Sequence, residues 1–184
     1  MIKILDCTFR DGGYYNKWDF NSSLVQKYLY ALDSANIDVI ELGFRNFPHD
    51  QFLGAFAYTT DNYIDTLNID KSITVGVMID AGSILNSELS IDDAVNSLFQ
   101  AKEKSRVDLV RIATHFECIE QCKEIAEALK KLGYMVGLNL MQPHAIANQE
   151  LSKAAELIQG WGIVDVLYFA DSLGGMNGSD VARI

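Results

Sequence analysis

Arg10 and Asp11 stand side by side in the stretch ILDCTFRDGGYYNKWDF, just after an apolar run that stops at Leu5. An arginine supplies permanent positive charge and fixed donors, which suit a developing enolate oxygen. A carboxylate beside it can hold a divalent cation, and such a cation can bind an α-keto acid and act as a Lewis acid toward its enolate. The same pair can equally form a salt-bridged turn. Three further polar residues, Glu41, Arg111 and Asn139, interrupt apolar runs where burying a polar group is expensive. The three histidines, His49, His115 and His144, form neither a His-x-His nor a His-x-x-x-His pair. Read from spacing alone, a metal-assisted carbon–carbon lyase is one option among several.

Six apolar segments must position these residues: 2–5, 38–44, 72–79, 107–113, 135–141 and 164–170. They are rich in Val, Ile and Leu and nearly continuous, as strands buried on both faces are. Amphipathic helical patterns lie between them. Asn21 or Ser22 can cap the first, Ser90 with Asp93 opens another, and Gly133 closes a third. Residues 45–60 form a long loop leading to a short helix near 61–68. This is a repeated βα unit with parallel strands. An open doubly wound sheet would want a glycine-rich phosphate loop after its first strand, and FRDGG stands there instead. A (β/α)8 barrel takes roughly 250 residues, so the 184 residues correspond to about six of its eight units. The fold expected is an incomplete TIM barrel, with residues 1–184 as its N-terminal portion and no second domain. In such folds the chemistry gathers at the carboxyl ends of the strands.

A net charge of −10 without a basic cluster argues against nucleic acid as a partner. No apolar run reaches the ~18 residues of a membrane span, and no basic leader precedes the first strand. Cys7, Cys118 and Cys122 are too few and scattered for a disulfide framework. A cytoplasmic protein is expected.

The stretches LDCTFRDGGYY, VRIATHFE, GLNLMQPHA and YFADSLGGM, in this order along nearly the whole chain, resemble the DRE-TIM metallolyases. They look most like the 4-hydroxy-2-oxovalerate aldolase branch. The resemblance implies a TIM barrel that uses a divalent metal, Mn2+ first with Mg2+ or Co2+ as alternatives, and a pyruvate enolate intermediate. It implies Asp11 as a metal ligand, Arg10 as the group stabilising the enolate, and Asp171 and Ser172 near the substrate carboxylate. Tyr14 stands where the bacterial oxovalerate aldolases carry an acid/base histidine, so Tyr14 or a water inherits the proton. The family's other metal ligands form a His-x-His on a seventh strand, a motif these residues do not contain.

The expectation is therefore a lyase acting on a small 2-oxo acid, with the 184-residue piece inactive by itself. Self-association through open barrel edges and a partner dehydrogenase are expected alongside. The alternative is a metal-free barrel relative that binds a small acid or serves in assembly.

Overall fold

The computed structural model describes residues 2–184. Six parallel strands pair in strictly sequential order: β1 (Leu5–Asp6), β2 (Val39–Phe44), β3 (Thr74–Asp80), β4 (Leu109–Thr114), β5 (Met135–Met141) and β6 (Val166–Ala170). A doubly wound sheet reverses its order at a switch point; this one never does. Helices connect the successive parallel strands, and the sheet curls into an open barrel wall. The incomplete barrel read from the sequence is the fold observed, with β1 and β6 as its two edges.

Two faces follow from strand alternation. The convex face carries Ile40, Val75, Val77, Val110, Ile112, Val136 and Leu138, which pack beneath the helices in the main core. The helices include α2 (Ser22–Ser34), α5 (Ile91–Leu98), α6 (Cys122–Lys131) and α7 (Asn148–Trp161). The concave face carries the interrupting polar residues. A register shift between Glu41 and Phe44 turns both side chains of β2 to this face.

The amino ends of alternate strands share a different device. Asp38, Asp108 and Asp165 precede β2, β4 and β6, and their carboxylates accept the backbone N–H of Ile4, Val75 and Val136 respectively, at 2.7–2.9 Å. These acids tie neighbouring units together at the face opposite the chemistry.

Several expected caps are present. The Asn21 side chain accepts from Ser23 N, the Ser90 hydroxyl accepts from Asp93 N, and Gly133 adopts φ +93°. The long loop forms a 3-10 turn at Ala55–Ala57 and the short helix α3 (Asp61–Ile64). Two expectations are corrected. The first strand is only two residues long, and FRDGG is no turn: it lies in the helix α1 (Thr8–Asn16). The remaining helices are α4 (Ala81–Leu85) and α8 (Gly178–Arg183). No helix among the described residues is long and apolar enough to cross a membrane.

Candidate active site

Two adjacent glycines cost a helix roughly 1 kcal/mol each, so α1 exists through tertiary contacts. Asp6 accepts the Thr8 amide and hydroxyl at the helix start. At its end Lys17 and Trp18 both adopt left-handed backbone, φ 58° and 59°, which folds the Trp18 ring back over Gly13. A Cβ on Gly13 would sit 1.9 Å from Trp18 Cδ1, so only glycine fits beneath the indole. Trp18 Nε1 donates to the Arg10 carbonyl at 2.9 Å and braces the turn that carries the arginine. Helical spacing then puts Phe9 and Gly13 toward the core, and Cys7, Arg10, Asp11 and Tyr14 toward a cleft.

That cleft, about 1010 Å³, lies at the carboxyl ends of the strands and is lined by residues from all six. An ionic chain crosses its wall. Arg10 Nη1 lies 2.7 Å from Asp11 Oδ1, and Arg10 Nε lies 2.5 Å from Glu41 Oε1. The other Glu41 oxygen takes Arg111 Nη1 at 2.8 Å, and Arg111 Nη2 donates to Asn139 Oδ1 at 2.9 Å. Glu41 is wholly buried and Arg111 is 6% exposed. Glu41 is in register with Gly76, Arg111 with Met78, and Asn139 with Ala113. Each polar residue thus sits one inward-facing step further along its strand, and the chain climbs the wall diagonally, as tilted barrel strands require.

Arg111 has a made-to-measure seat. Its guanidinium lies over the Tyr168 ring, Cζ to centroid 4.2 Å. A Cβ on Gly137 would come within 2.9 Å of Arg111 Cγ and 3.1 Å of Tyr168 Cε2, so the glycine lets the two meet. Arg111 Nε is buried without a partner among the described residues. An orphaned buried donor costs about 1–3 kcal/mol.

Electrostatics keep these groups in definite states. Burial disfavours the Arg10 charge, but Glu41 and Asp11 outweigh it and raise its pKa, so the guanidinium stays charged. Burial, together with the neighbouring Asp11 carboxylate, pushes the Cys7 thiol up to about 11. Cys7 therefore remains a thiol and donates to Asp11 Oδ2 at 3.2 Å. Burial also raises the Tyr14 phenol, with Asp11 and Asp80 adding to the shift and Arg10 opposing it.

The sequence-expected residues are brought together, with different surroundings. Arg10, Asp11, Tyr14, Asp171 and Ser172 all line the one cleft. Tyr14 is at the rim, 64% exposed, its ring edge-on to Trp18 at 4.8 Å. Asp171 spends its carboxylate on its own loop, accepting Gly175 N at 2.8 Å and Met176 N at 3.0 Å. His144 Nδ1 lies 3.9 Å from Asp171, beyond hydrogen-bond reach. Asp80 caps α4 through Ser83 while facing the cleft. Arg45, just past the end of β2, points away from the cleft into a separate cluster with Asp61. Tyr168 went unread because a tyrosine in an apolar strand looks like core.

A divalent cation fits poorly with these residues alone. Asp11 offers one carboxylate already shared with Arg10 and Cys7, and no three His, Cys, Asp or Glu side chains converge among the described residues.

A curled parallel α/β wall with a charged cleft at its strand ends has the architecture of part of a TIM barrel, a fold in which that end is where barrel enzymes carry their chemistry. Relatives sharpen that class. The chain is 28% identical over 182 residues to a 4-hydroxy-2-oxovalerate aldolase of Geobacillus genomosp. 3, covering 98% of this chain and 51% of the relative. It is 27% identical over 180 residues to the same-named protein of Pelotomaculum thermopropionicum, covering 95% and 49%. Among solved structures it resembles the N-terminal domain of a Bacteroides vulgatus protein provisionally described as an aldolase, with TM-score 0.82 and 34% identity. That match covers 99% of this chain and 58% of the other. No protein-family model matches the chain. The chain spans about half the length of the curated relatives it matches. The resemblance to the aldolase branch thus extends over the chain as a whole, in sequence and in fold.

Proposed function

We propose that this chain supplies the first part of the active site of a carbon–carbon lyase that cleaves a 4-hydroxy-2-oxo acid through a pyruvate enolate. One observation carries the reading: a half-buried, permanently charged Arg10, fixed by Glu41, stands at the strand-end cleft of a chain similar throughout to proteins named as aldolases. In the reaction the 4-hydroxyl gives its proton to a water in the cleft and becomes the aldehyde carbonyl. The C3–C4 bond breaks and its electron pair passes into the 2-oxo group as an enolate. Arg10 donates to that oxygen, and protonation at C3 completes pyruvate. Tyr14, its phenol raised by burial, keeps its proton at neutral pH and suits donation to C3 better than abstraction. Ser172 would face the substrate carboxylate, with Asp171 shaping the loop beneath it.

Asp11 would serve as one ligand to a divalent cation, Mn2+ ahead of Mg2+ or Co2+. One carboxylate does not hold such an ion, and the steps above route nothing through it. The substrate would be a small 2-oxo acid in the cytoplasm, with a dehydrogenase removing the aldehyde and the unpaired edges of β1 and β6 inviting self-association.

The test is manganese-dependent pyruvate release from 4-hydroxy-2-oxo acids, measured on the protein as its gene encodes it and on residues 1–184 alone. Arg10→Met is expected to lower the rate about 100-fold or more, Asp11→Asn to lower it as well, and the 184-residue chain to be silent. An Asp11→Asn rate equal to wild type would sink the assignment, and turnover by the short chain would overturn only the expectation that it is inactive by itself. A second reading, a metal-free relative that binds a small acid or serves in assembly, is favoured by Tyr14 standing as a poor base. Tight Mn2+ binding by calorimetry on the gene-encoded protein excludes it.

A further inference from the structure

We propose that Arg111 is a positioning residue for Arg10, acting through the shared Glu41 carboxylate to keep the Arg10 charge free for an anion in the cleft. The inference rests on reading Arg10 as the anion-binding group. Arg111 is bonded to Glu41 and Asn139, and it reaches Arg10 only through Glu41. The Glu41 oxygens are divided, one to each guanidinium. Inside the wall one buried negative charge therefore faces two positive ones; Asp11, more than half exposed at the cleft mouth, pairs with Arg10 from the solvent side, where its charge is better screened. Without Arg111, Glu41 would neutralise Arg10 by itself in a site where charge is poorly screened.

The way Arg111 is held fits that task. Its Nε is left without a partner among the described residues, while both Nη atoms are aimed at Glu41 and Asn139. Orientation toward the network is kept at the expense of the side chain's own satisfaction. Gly137 and Tyr168 form a slot that leaves the guanidinium little freedom to turn. An arginine retained only for packing would need neither the divided carboxylate nor the orphaned donor.

Oxalate, a planar dicarboxylate with the oxygen arrangement of an enolpyruvate, is the probe, titrated by calorimetry into residues 1–184 in metal-free buffer at fixed ionic strength. Arg111→Met is expected to weaken binding about tenfold or more. The double variant Arg111→Met/Glu41→Gln removes one charge of each sign, and is expected to bind more tightly than Arg111→Met alone. In the Glu41→Gln background Arg111→Met is expected to cost much less binding than in wild type, whereas an Arg111 that is merely structural or touches the anion directly costs the same in both backgrounds; equal costs overturn the proposal. If Arg111→Met does not fold by circular dichroism, Arg111→Gln takes its place in the same pair of backgrounds, and equal costs with and without the Glu41 charge overturn the inference. Arg10→Met separates the two levels. If Arg10→Met abolishes binding and Arg111→Met leaves it unchanged, only the role of Arg111 falls. If Arg10→Met binds like wild type, or wild type does not bind, the reading of Arg10 falls with it.

Discussion

Arg45 and Arg111 are both buried, and each lies against an aromatic ring, Phe99 for one and Tyr168 for the other. Their surroundings differ in one respect that separates structure from chemistry. Arg45 is closed: Nε donates to Thr59 O, Nη1 to Leu98 O and Asp61 Oδ2, and Nη2 to Asp61 Oδ1. Ser105 adds a further bond to Asp61. Every donor nitrogen is used, and the result pins the long loop after β2 against α5. Arg111 and Arg10 are arranged around one carboxylate beside an open cleft, with an orphaned Nε on the first. A fully satisfied buried arginine is a clamp. An incompletely satisfied one beside a cleft is a candidate for work.

The largest expected effect breaks the clamp. Arg45→Met strands Asp61 and leaves the Thr59 and Leu98 carbonyls without their donor, and should cost about 3–5 kcal/mol in urea unfolding. A loss below 1 kcal/mol would mean the clamp contributes little and the contrast with Arg111 fails.

Acid should find the same cluster. Burial pushes the Asp61 carboxyl up, but the bonds from Arg45 and Ser105 outweigh it and hold its pKa below the usual aspartate value. A folded pKa below the unfolded one means this stability is present above about pH 4 and is lost as pH falls through the folded value. Asp61→Asn should be less stable than wild type at pH 7 and should flatten the stability profile between about pH 4 and 2. An unchanged acid slope contradicts the ion pair.

A smaller effect belongs to the cleft side. Gly137→Ala pushes a methyl between Arg111 and Tyr168 and should cost about 1–3 kcal/mol, read as a lower Tm. Tyr168→Leu keeps an apolar side chain but removes the ring and its cation–π contact, a loss of about 0.5–2 kcal/mol for that contact. If Gly137→Ala proves neutral, the slot around Arg111 is looser than its geometry.

Much of this was legible in order along the chain. The six apolar runs are the six strands within two or three residues, because strands buried on both faces announce themselves by composition. Glu41, Arg111 and Asn139 stood out by the cost of burying them, and they are the residues the concave face links. The helix α1 was not legible. Gly12 and Gly13 read as a turn, and nothing local says that Trp18 will fold back across Gly13. Arg45 and Arg111 also look alike in one dimension, each a cation in or just past an apolar strand. Only their partners, drawn from segments 14 to 70 residues away, tell them apart.

Hydrophobic period and burial cost are local properties, so the order of residues alone sets the repeating βα units, the parallel sheet and the cluster of polar residues at the strand ends. The tertiary structure decided that Arg10 sits on a helix, that Glu41 divides its oxygens between two guanidiniums, and that Arg45 is spent on holding a loop. Those depend on strand register, on a bulge in β2 and on the curl of the sheet. Each sets which charges come within a few ångströms, and at that range pairing settles what a charge is free to do.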